Sequence, residues 1–254
     1  MTLELLSPPS EVPPLPPPVT PTSADPRPRA ARASKHVFGV DEAGRGPILG
    51  PMALAVVVLD RKSTTALTRL GVQDSKRFGS GPRAQEARAD LAAQIHQRAI
   101  AWACELVSPE IIDEHTFRGQ LNRLEQDVAL QLLRRLGATL ECAIICDGAN
   151  LFRPLQQHFP RLQAVNDGES CHVAVAAASI VAKHARDAAF AEICSRYEPE
   201  FGPVTGGGYA HAATRKFLAA YAEARGGLPP EARKSWGAEK IRDPESTQLS
   251  LAEL

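Results

Sequence analysis

The fold of this chain is most constrained by two short apolar runs that flank a glycine-rich turn. The first run, Val37–Asp41, ends on two adjacent carboxylates, Asp41 and Glu42, and the second run is Met52–Leu59. Short apolar runs bounded by turn residues are typical of strands. We therefore predict a β-hairpin around Gly44–Gly50, with both carboxylates at the end of its first strand.

The same turn contains side chains and backbone groups that could bind metal ions and phosphate. Carboxylates at a strand end, here Asp41 and Glu42, can hold hard divalent cations. Gly44 and Gly46 let backbone N–H groups approach a ligand, and Arg45 between them can contact a phosphate. Because neighbouring strand residues point to opposite faces, both carboxylates can serve one site only if the strand ends or kinks there.

Strand and helix patterns alternate along the rest of the chain. Three further apolar runs predict strands: Ala99–Val107, Leu140–Cys146 and Arg161–Val165. Apolar residues at helical spacing predict four helices: Ser80–Arg98, Gly119–Leu136, Ser170–Tyr197 and Ala212–Ala224. This order predicts an α/β fold, with a mixed five-stranded sheet flanked by helices and a C-terminal helical extension.

Proline content separates the tails from the folded part. Ten of the 21 prolines precede residue 29, so we predict that residues 1–35 form a disordered, polyproline-like tail. That tail is either only solvated or a docking site for a proline-reading module, a partner that the sequence does not identify. The predicted organisation is completed by a core (36–200), a helical extension (201–242) and a frayed end (243–254).

Composition argues against several classes of protein. No apolar run approaches the ~20 residues that span a membrane, and we expect a cytoplasmic monomer. The five cysteines form no CxxC pair, which argues against structural zinc and against a disulfide scaffold. The formal net charge is zero, so a nucleic acid would have to be bound by a local basic patch.

Further acids stand where they could converge with the first two. Asp147 directly follows the predicted strand Leu140–Cys146, and ligands gather at the carboxyl ends of strands in open α/β sheets. Asp167 and Glu169 precede the long helix. The alternatives are an ordinary turn aspartate and helix capping. Crowded carboxylates repel one another unless cations neutralise them, and oxygen ligands suit Mg²⁺ or Mn²⁺, two of which would support phosphodiester hydrolysis.

Basic and hydroxyl side chains offer contacts for a phosphate backbone. Ser75 and Lys76 lie in a polar loop, and Lys183 lies on the long helix. The alternatives are a solvated loop for the first two and an i, i+4 pair with Asp187 for Lys183. Tyr209 follows three glycines and could either stack on a sugar or base or fold onto the core.

The chain resembles the ribonuclease HII family, the type 2 ribonucleases H. Six segments in family order carry the resemblance: Gly39–Pro51, Asp74–Lys76, Ile145–Gly148, Ala176–Asp187, Gly206–Leu218 and Leu228–Trp236. The resemblance implies an RNase H-like catalytic core that hydrolyses RNA in RNA–DNA hybrids. It also implies incision at ribonucleotides embedded in duplex DNA, with 5′-phosphate and 3′-hydroxyl products.

By that resemblance, Asp41, Glu42 and Asp147 are metal ligands for two Mg²⁺ or Mn²⁺ ions. The fourth family acid corresponds to Glu169, which lies ten residues before the serine of the AAASI segment. The family normally has an aspartate at that position, preceded by a lysine that this chain lacks. Asp167 is the competing candidate.

The resemblance also implies the substrate contacts. The turn Gly44–Gly46, with Arg45 at its centre, would sense the 2′-hydroxyl that distinguishes RNA from DNA. Tyr209 would stack at the deoxyribose beyond the junction. The phosphate contacts would be Ser75, Lys76 and Lys183. Two alternatives stay open: another RNase H-like nuclease, which would lack this turn and the Tyr209 loop, and a non-catalytic hybrid-binding module, which only the glutamate at 169 favours.

Overall fold

The structure is a computed structural model that describes residues 36–73 and 81–236. The predicted proline-rich tail (1–35), the loop containing Ser75 and Lys76, and the residues after 236 lie outside these ranges. Within them, no helix combines the length and the apolar character needed to cross a membrane.

Five strands form one mixed sheet. They are β1 (Val37–Ala43), β2 (Met52–Leu59), β3 (Ala101–Val107), β4 (Ala143–Asp147) and β5 (Leu162–Val165). Their order across the sheet is β3-β2-β1-β4-β5. β2 pairs antiparallel with β1 and β3, whereas β4 lies parallel to β1 and β5. The sheet confirms the predicted hairpin and the mixed topology, and it gives β1 a parallel neighbour.

Helices cover both faces of the sheet. In the described ranges they are α1 (Arg61–Arg69), α2 (Pro82–Arg98), α3 (Pro109–Thr116), α4 (Leu121–Arg135), α5 (Ala149–Phe152), α6 (Gly168–Cys171), α7 (Val173–Phe201) and α8 (Ala212–Arg225). Ala55 of β2 packs with α1, α2 and α7 on one face, and Leu54 packs with α4 on the other. Gly39 allows the closest approach, because a Cβ there would overlap the backbone of Ala174 in α7.

Several predicted strand boundaries are wrong, and those of β1 and β4 bear on the site. β1 continues to Ala43, so Asp41 and Glu42 lie inside the strand rather than at its end, where they were predicted. β4 begins at Ala143 rather than at Leu140, because a hydrogen bond from the amide of Cys142 to the carbonyl of Thr139 closes a turn there at 3.1 Å.

The described residues form more helices than the sequence predicted. The predicted helix Ser170–Tyr197 is two helices, α6 and α7, because His172 between them has an extended backbone. Helices α1 and α3 were not predicted, although side chains cap both of them, Asp60 and Ser108 respectively. With nine and eight residues, these helices are too short to show a clear apolar period.

The C-terminal part is helical, as predicted, and it packs directly on the rest of the molecule. Phe217 and Leu218 of α8 and the ring of Trp236 belong to the same apolar cluster as β1 and α4. Tyr197 at the end of α7 lies edge-on to the ring of Tyr221 in α8, with 5.5 Å between the centroids. These contacts bring residues 206–236 close to the turn between β1 and β2.

Candidate active site

Asp41 and Asp147 are neighbours on adjacent parallel strands. Val40 of β1 pairs with Cys146 of β4, so the next residue along each strand brings the two aspartates side by side. Adjacent strands lie about 4.8 Å apart, and paired residues point to the same face. Two acids from distant parts of the sequence therefore meet at one edge of the sheet.

Backbone amides fix the carboxylate of Asp147. Its Oδ1 accepts hydrogen bonds from the amides of Gly148 at 3.0 Å and Gly168 at 3.1 Å. Gly168 opens α6 in a confined position, since a Cβ there would lie 2.9 Å from Cγ2 of Val165. The end of β4 is thus tied to the segment that carries Glu169, and both amides act on the same oxygen of Asp147.

Burial and repulsion make the acids of β1 difficult to ionise. Asp41 is 5% exposed, and its burial, together with the negative charges of Glu42 and Asp147, raises its pKa well above the usual aspartate value. Burial also raises the pKa of Glu42, an effect that the positive charge of Arg45 opposes. A bound cation would favour the ionised form of both groups.

The pleat of β1 starts Asp41 and Glu42 on opposite faces. Asp41 pairs with Ala55, which belongs to the α7 layer, and Glu42 pairs with Leu54, which belongs to the α4 layer. The amide of Glu42 nevertheless donates to Oδ1 of Asp41 at 2.8 Å, and the negative charge of Glu42 raises the pKa of Asp41. The strand neither ends nor kinks at this point, so the interaction between the two charges depends on the carboxyl groups themselves.

Ser179 of α7 links Glu169 to Asp41. The Ser179 hydroxyl donates to Oε2 of Glu169 at 3.0 Å, and the same hydroxyl lies close enough to the carboxyl of Asp41 to lower its pKa. Asp167, the competing fourth acid, is the N-cap residue of α6 and has a left-handed backbone with φ of 57°. One hydroxyl therefore places Glu169 at the same group of acids.

The four acids suit a hard divalent cation in chemistry and charge. Asp41, Glu42, Asp147 and Glu169 offer only carboxylate oxygens, the ligands that Mg²⁺ and Mn²⁺ prefer. In the part of the chain that the structure describes, no three His, Cys, Asp or Glu side chains are placed to hold an ion as they stand. Cation binding would therefore require the carboxyl groups to turn toward a common point.

The glycine loop (residues 44–51), which joins β1 to β2, is fixed by a guanidinium from the far end of the chain. Arg233 is 1% exposed and donates from Nε to the carbonyl of Gly50 at 2.9 Å. Its Nη1 and Nη2 donate to the carbonyls of Arg45 at 2.9 Å and Gly44 at 2.6 Å. Burial lowers the pKa of Arg233 to about 10, so the side chain stays protonated at neutral pH.

Other C-terminal groups complete the support of the glycine loop. The amides of residues 48 and 49 donate to the carbonyl of Gly208, at 2.9 and 3.1 Å. The indole nitrogen of Trp236 donates to the carbonyl of Gly46 at 3.1 Å. Asp113 of α3 in turn accepts the amide of Lys234 at 2.8 Å, which fixes the segment between Arg233 and the tryptophan.

Tyr209 lies against the glycine loop. The residue follows the three-glycine segment Gly206–Gly208, and it is 46% exposed. A Cβ at Gly46 would lie 3.2 Å from Cε1 of Tyr209, so the glycine leaves room for the ring. The family resemblance implies substrate contacts for both Gly46 and Tyr209, and in the structure the two residues lie side by side.

Arg45 is anchored by α4. Its Nη1 pairs with Oε2 of Glu125, and its Nη2 donates to Oδ1 of Asn122 at 2.6 Å. The Arg45 side chain is 39% exposed, whereas that of Glu125 is fully buried. Burial raises the pKa of Glu125 to about 7, although the positive charge of Arg45 opposes the shift. A buried carboxylate thus holds the turn arginine at the surface.

Three charged residues that contact the glycine loop received no role in the sequence analysis. They are Glu125, Arg186 and Arg233. Glu125 and Arg186 were detectable as charged residues on otherwise apolar helix faces. Arg186 donates to the carbonyls of Leu49, at 3.4 Å, and Gly207. Arg233 lies outside any periodic pattern, and its only signal was its place in the segment Leu228–Trp236 that carries the family resemblance.

The predicted phosphate contacts are placed only in part. Ser75 and Lys76 lie outside the described residues. Lys183 is described, and its Nζ lies 3.8 Å from Oδ2 of Asp187, the i, i+4 pair offered as an alternative. Because the Lys183 side chain is half exposed, this pair contributes about 0–1 kcal/mol and does not prevent Lys183 from contacting a phosphate.

The fold is that of the RNase H nucleases, with this strand order and helices on both faces of the mixed sheet. Acids from β1, β4 and α6 meet at one end of that sheet. The sequence profile described as Ribonuclease HII matches residues 38–238. The chain therefore belongs to the ribonuclease HII family.

Relatives match over most of their length. Ribonuclease HII of Thermococcus sibiricus is 32% identical over 206 residues, which are 78% of this chain and 87% of that protein. The crystal structure of the ribonuclease H2 from Pyrococcus horikoshii has a TM-score of 0.68 and 28% identity, covering 81% of this chain and 96% of that one. The crystal structure of Bst-RNase HIII in complex with Mn²⁺ has a TM-score of 0.64 and 25% identity, and the match covers 82% of this chain and 68% of that one.

These similarities confirm the predicted fold, family and class of enzyme. The chain is a ribonuclease H, an endonuclease of a family that acts on RNA–DNA hybrids and depends on divalent metal ions. The alternative hypothesis, that the chain is a non-catalytic module that only binds hybrids, is not supported by these similarities.

Proposed function

We propose that this ribonuclease H cleaves with two divalent cations, Mg²⁺ or Mn²⁺, held by Asp41, Glu42, Asp147 and Glu169. The side-by-side placement of Asp41 and Asp147 on parallel strands carries the proposal. When bound, such ions lower the pKa of an attacking water and stabilise the leaving oxygen. The amides on Asp147 and the hydroxyl of Ser179 orient the carboxyl groups for this task.

The glycine loop is proposed to recognise the ribonucleotide. Because Arg233 and Trp236 engage its carbonyls, the loop keeps one shape, and a rigid backbone can test for the 2′-hydroxyl by close approach. Arg45 would contact a phosphate, and Tyr209 would stack on the adjacent deoxyribose. Lys183, with Ser75 and Lys76, would contact further phosphates.

This division assigns one task to each part of the chain. Residues 36–200 form the proposed catalytic core, which supplies the acids. Residues 201–242 form the proposed extension, which supplies Tyr209 and the two side chains that fix the glycine loop, Arg233 and Trp236. The contacts of Gly208 with the loop support this arrangement.

Duplex DNA that contains one ribonucleotide tests the proposed substrate. We expect incision beside the ribonucleotide with Mg²⁺ or Mn²⁺, leaving 5′-phosphate and 3′-hydroxyl ends, and no incision in EDTA. The same duplex without the ribonucleotide is the control and should stay intact. Cleavage of RNA tracts without any incision at the single ribonucleotide would refute the proposed specificity, and activity in EDTA would refute the metal role.

The fourth acid can be identified by comparing two variants. We expect Glu169→Gln to lower kcat by about 10²-fold, the scale of losing one electrostatic contact at a reacting centre, because Glu169 is linked to Asp41 through Ser179. Asp167→Asn is the matched control, since asparagine tolerates the left-handed backbone at that position. It should change kcat less than about threefold, and single-turnover cleavage would measure both. The reverse order of effects would assign the role to Asp167.

A further inference from the structure

We propose that Glu125 is a positioning residue that directs Arg45 toward the substrate backbone, an inference that rests on the phosphate contact proposed for Arg45. Glu125 binds Nη1 of Arg45, and Asn122 accepts Nη2 at 2.6 Å. Residues 122 and 125 are three apart on α4 and therefore lie on the same helix face. Two acceptors on one rigid helix fix the plane of the guanidinium.

Stability does not explain a glutamate at this position. The Glu125 side chain is fully buried, and its Oε1 has no hydrogen-bond partner among the described residues. Replacing a whole buried ion pair by well-packed neutral groups is often neutral or stabilising, so the pair is weak evidence for a role in stability. The half-satisfied carboxylate is therefore better explained by what it does to Arg45, whose side chain remains 39% exposed.

Arg45 needs such an anchor because another acid is close. Glu42 lies three residues before Arg45, and the positive charge of Arg45 already acts on it. Without Glu125, the guanidinium could turn to Glu42 and pair with a carboxylate that is proposed to bind a cation. Glu125 therefore separates the two tasks: Arg45 is kept for the substrate and Glu42 for the metal.

A double-mutant cycle tests the inference. Glu125→Gln keeps the side-chain volume and removes the charge. We expect it to lower kcat/KM for the one-ribonucleotide duplex by about tenfold, mainly through KM, since charge-assisted hydrogen bonds are roughly twice as strong as neutral ones. The temperature of unfolding should not fall. In an Arg45→Ala background, the same change should have no further effect on kcat/KM.

The matched control is Glu114→Gln on α3, an exposed glutamate that pairs with Arg118 at 3.1 Å, and it should leave kcat/KM unchanged. Equal effects of Glu125→Gln with and without Arg45 would overturn the inference, and so would a variant that fails to fold. If Arg45→Ala impairs cleavage but Glu125→Gln does not, only the positioning role fails. If Arg45→Ala itself has no effect, the proposed phosphate contact fails as well.

Discussion

Asp147→Asn should abolish cleavage of an RNA–DNA hybrid, with a loss in kcat of at least about 10³-fold, while the protein still folds and binds the duplex. The expected size follows from a metal ion's contribution of several kcal/mol to the transition state. The fold should survive because an asparagine carbonyl can still accept the amides of Gly148 and Gly168 that Oδ1 of Asp147 accepts now. Single-turnover cleavage and a binding titration measure the two properties separately.

The matched control for this change is Asp127→Asn on α4. Asp127 is exposed and pairs with Arg123 at 2.9 Å, away from the other acids, so its loss should leave kcat unchanged. Asp41→Asn should behave like Asp147→Asn, since the two residues are adjacent on parallel strands. Turnover near the wild-type rate in either active-site variant would refute the metal role of that residue.

Arg233→Met should destabilise the protein by about 3–5 kcal/mol and also weaken recognition of a single ribonucleotide. The methionine fills much of the space but leaves the carbonyls of Gly44, Arg45 and Gly50 without their present donor. Unpaired buried acceptors cost about 1–3 kcal/mol each, and the effects are not additive. For a chain of this size the loss corresponds to a fall of about 10 °C in Tm.

Arg225→Met provides the comparison for this second variant. Arg225 pairs with Glu200 at 2.6 Å, but both side chains are about half exposed, so its loss should change stability by only about 0–1 kcal/mol. Thermal unfolding and incision of a one-ribonucleotide duplex should be measured on both variants. If the free energy of unfolding of the Arg233→Met variant lies within about 1 kcal/mol of that of Arg225→Met, the support attributed to Arg233 is wrong.

Local patterns were enough to predict the strands and the meeting of the main acids. The apolar runs around the first turn predicted a hairpin, and the strand before Asp147 predicted a buried neighbour. The convergence of Asp41 with Asp147 was expected from the general behaviour of strand ends in α/β sheets, whereas the parallel pairing of β1 with β4 that produces it was not predicted. The alternation of the pleat was also anticipated, and the structure shows Asp41 and Glu42 starting on opposite faces.

What the sequence could not predict depends on contacts between distant segments. No local pattern indicates that Arg233 donates to Gly44, because 189 positions separate them. The pairing of Arg45 with Glu125 was not predicted either, because the pattern of α4 marks Glu125 as a charged residue on an apolar face but does not indicate its partner. The break between α6 and α7 was missed because the alanine-rich sequence that follows His172 favours helix, whereas His172 itself takes an extended backbone.

The long separation between Arg233 and the glycine loop has a consequence for the order in which the chain matures. During synthesis the ribosome releases both acids of β1 and the aspartate of β4 well before it adds residue 233. A nascent chain can therefore assemble its sheet while the loop still lacks the guanidinium that fixes its shape. The loop that is proposed to recognise the ribonucleotide therefore receives its guanidinium last, when nearly all of the described polypeptide has been translated.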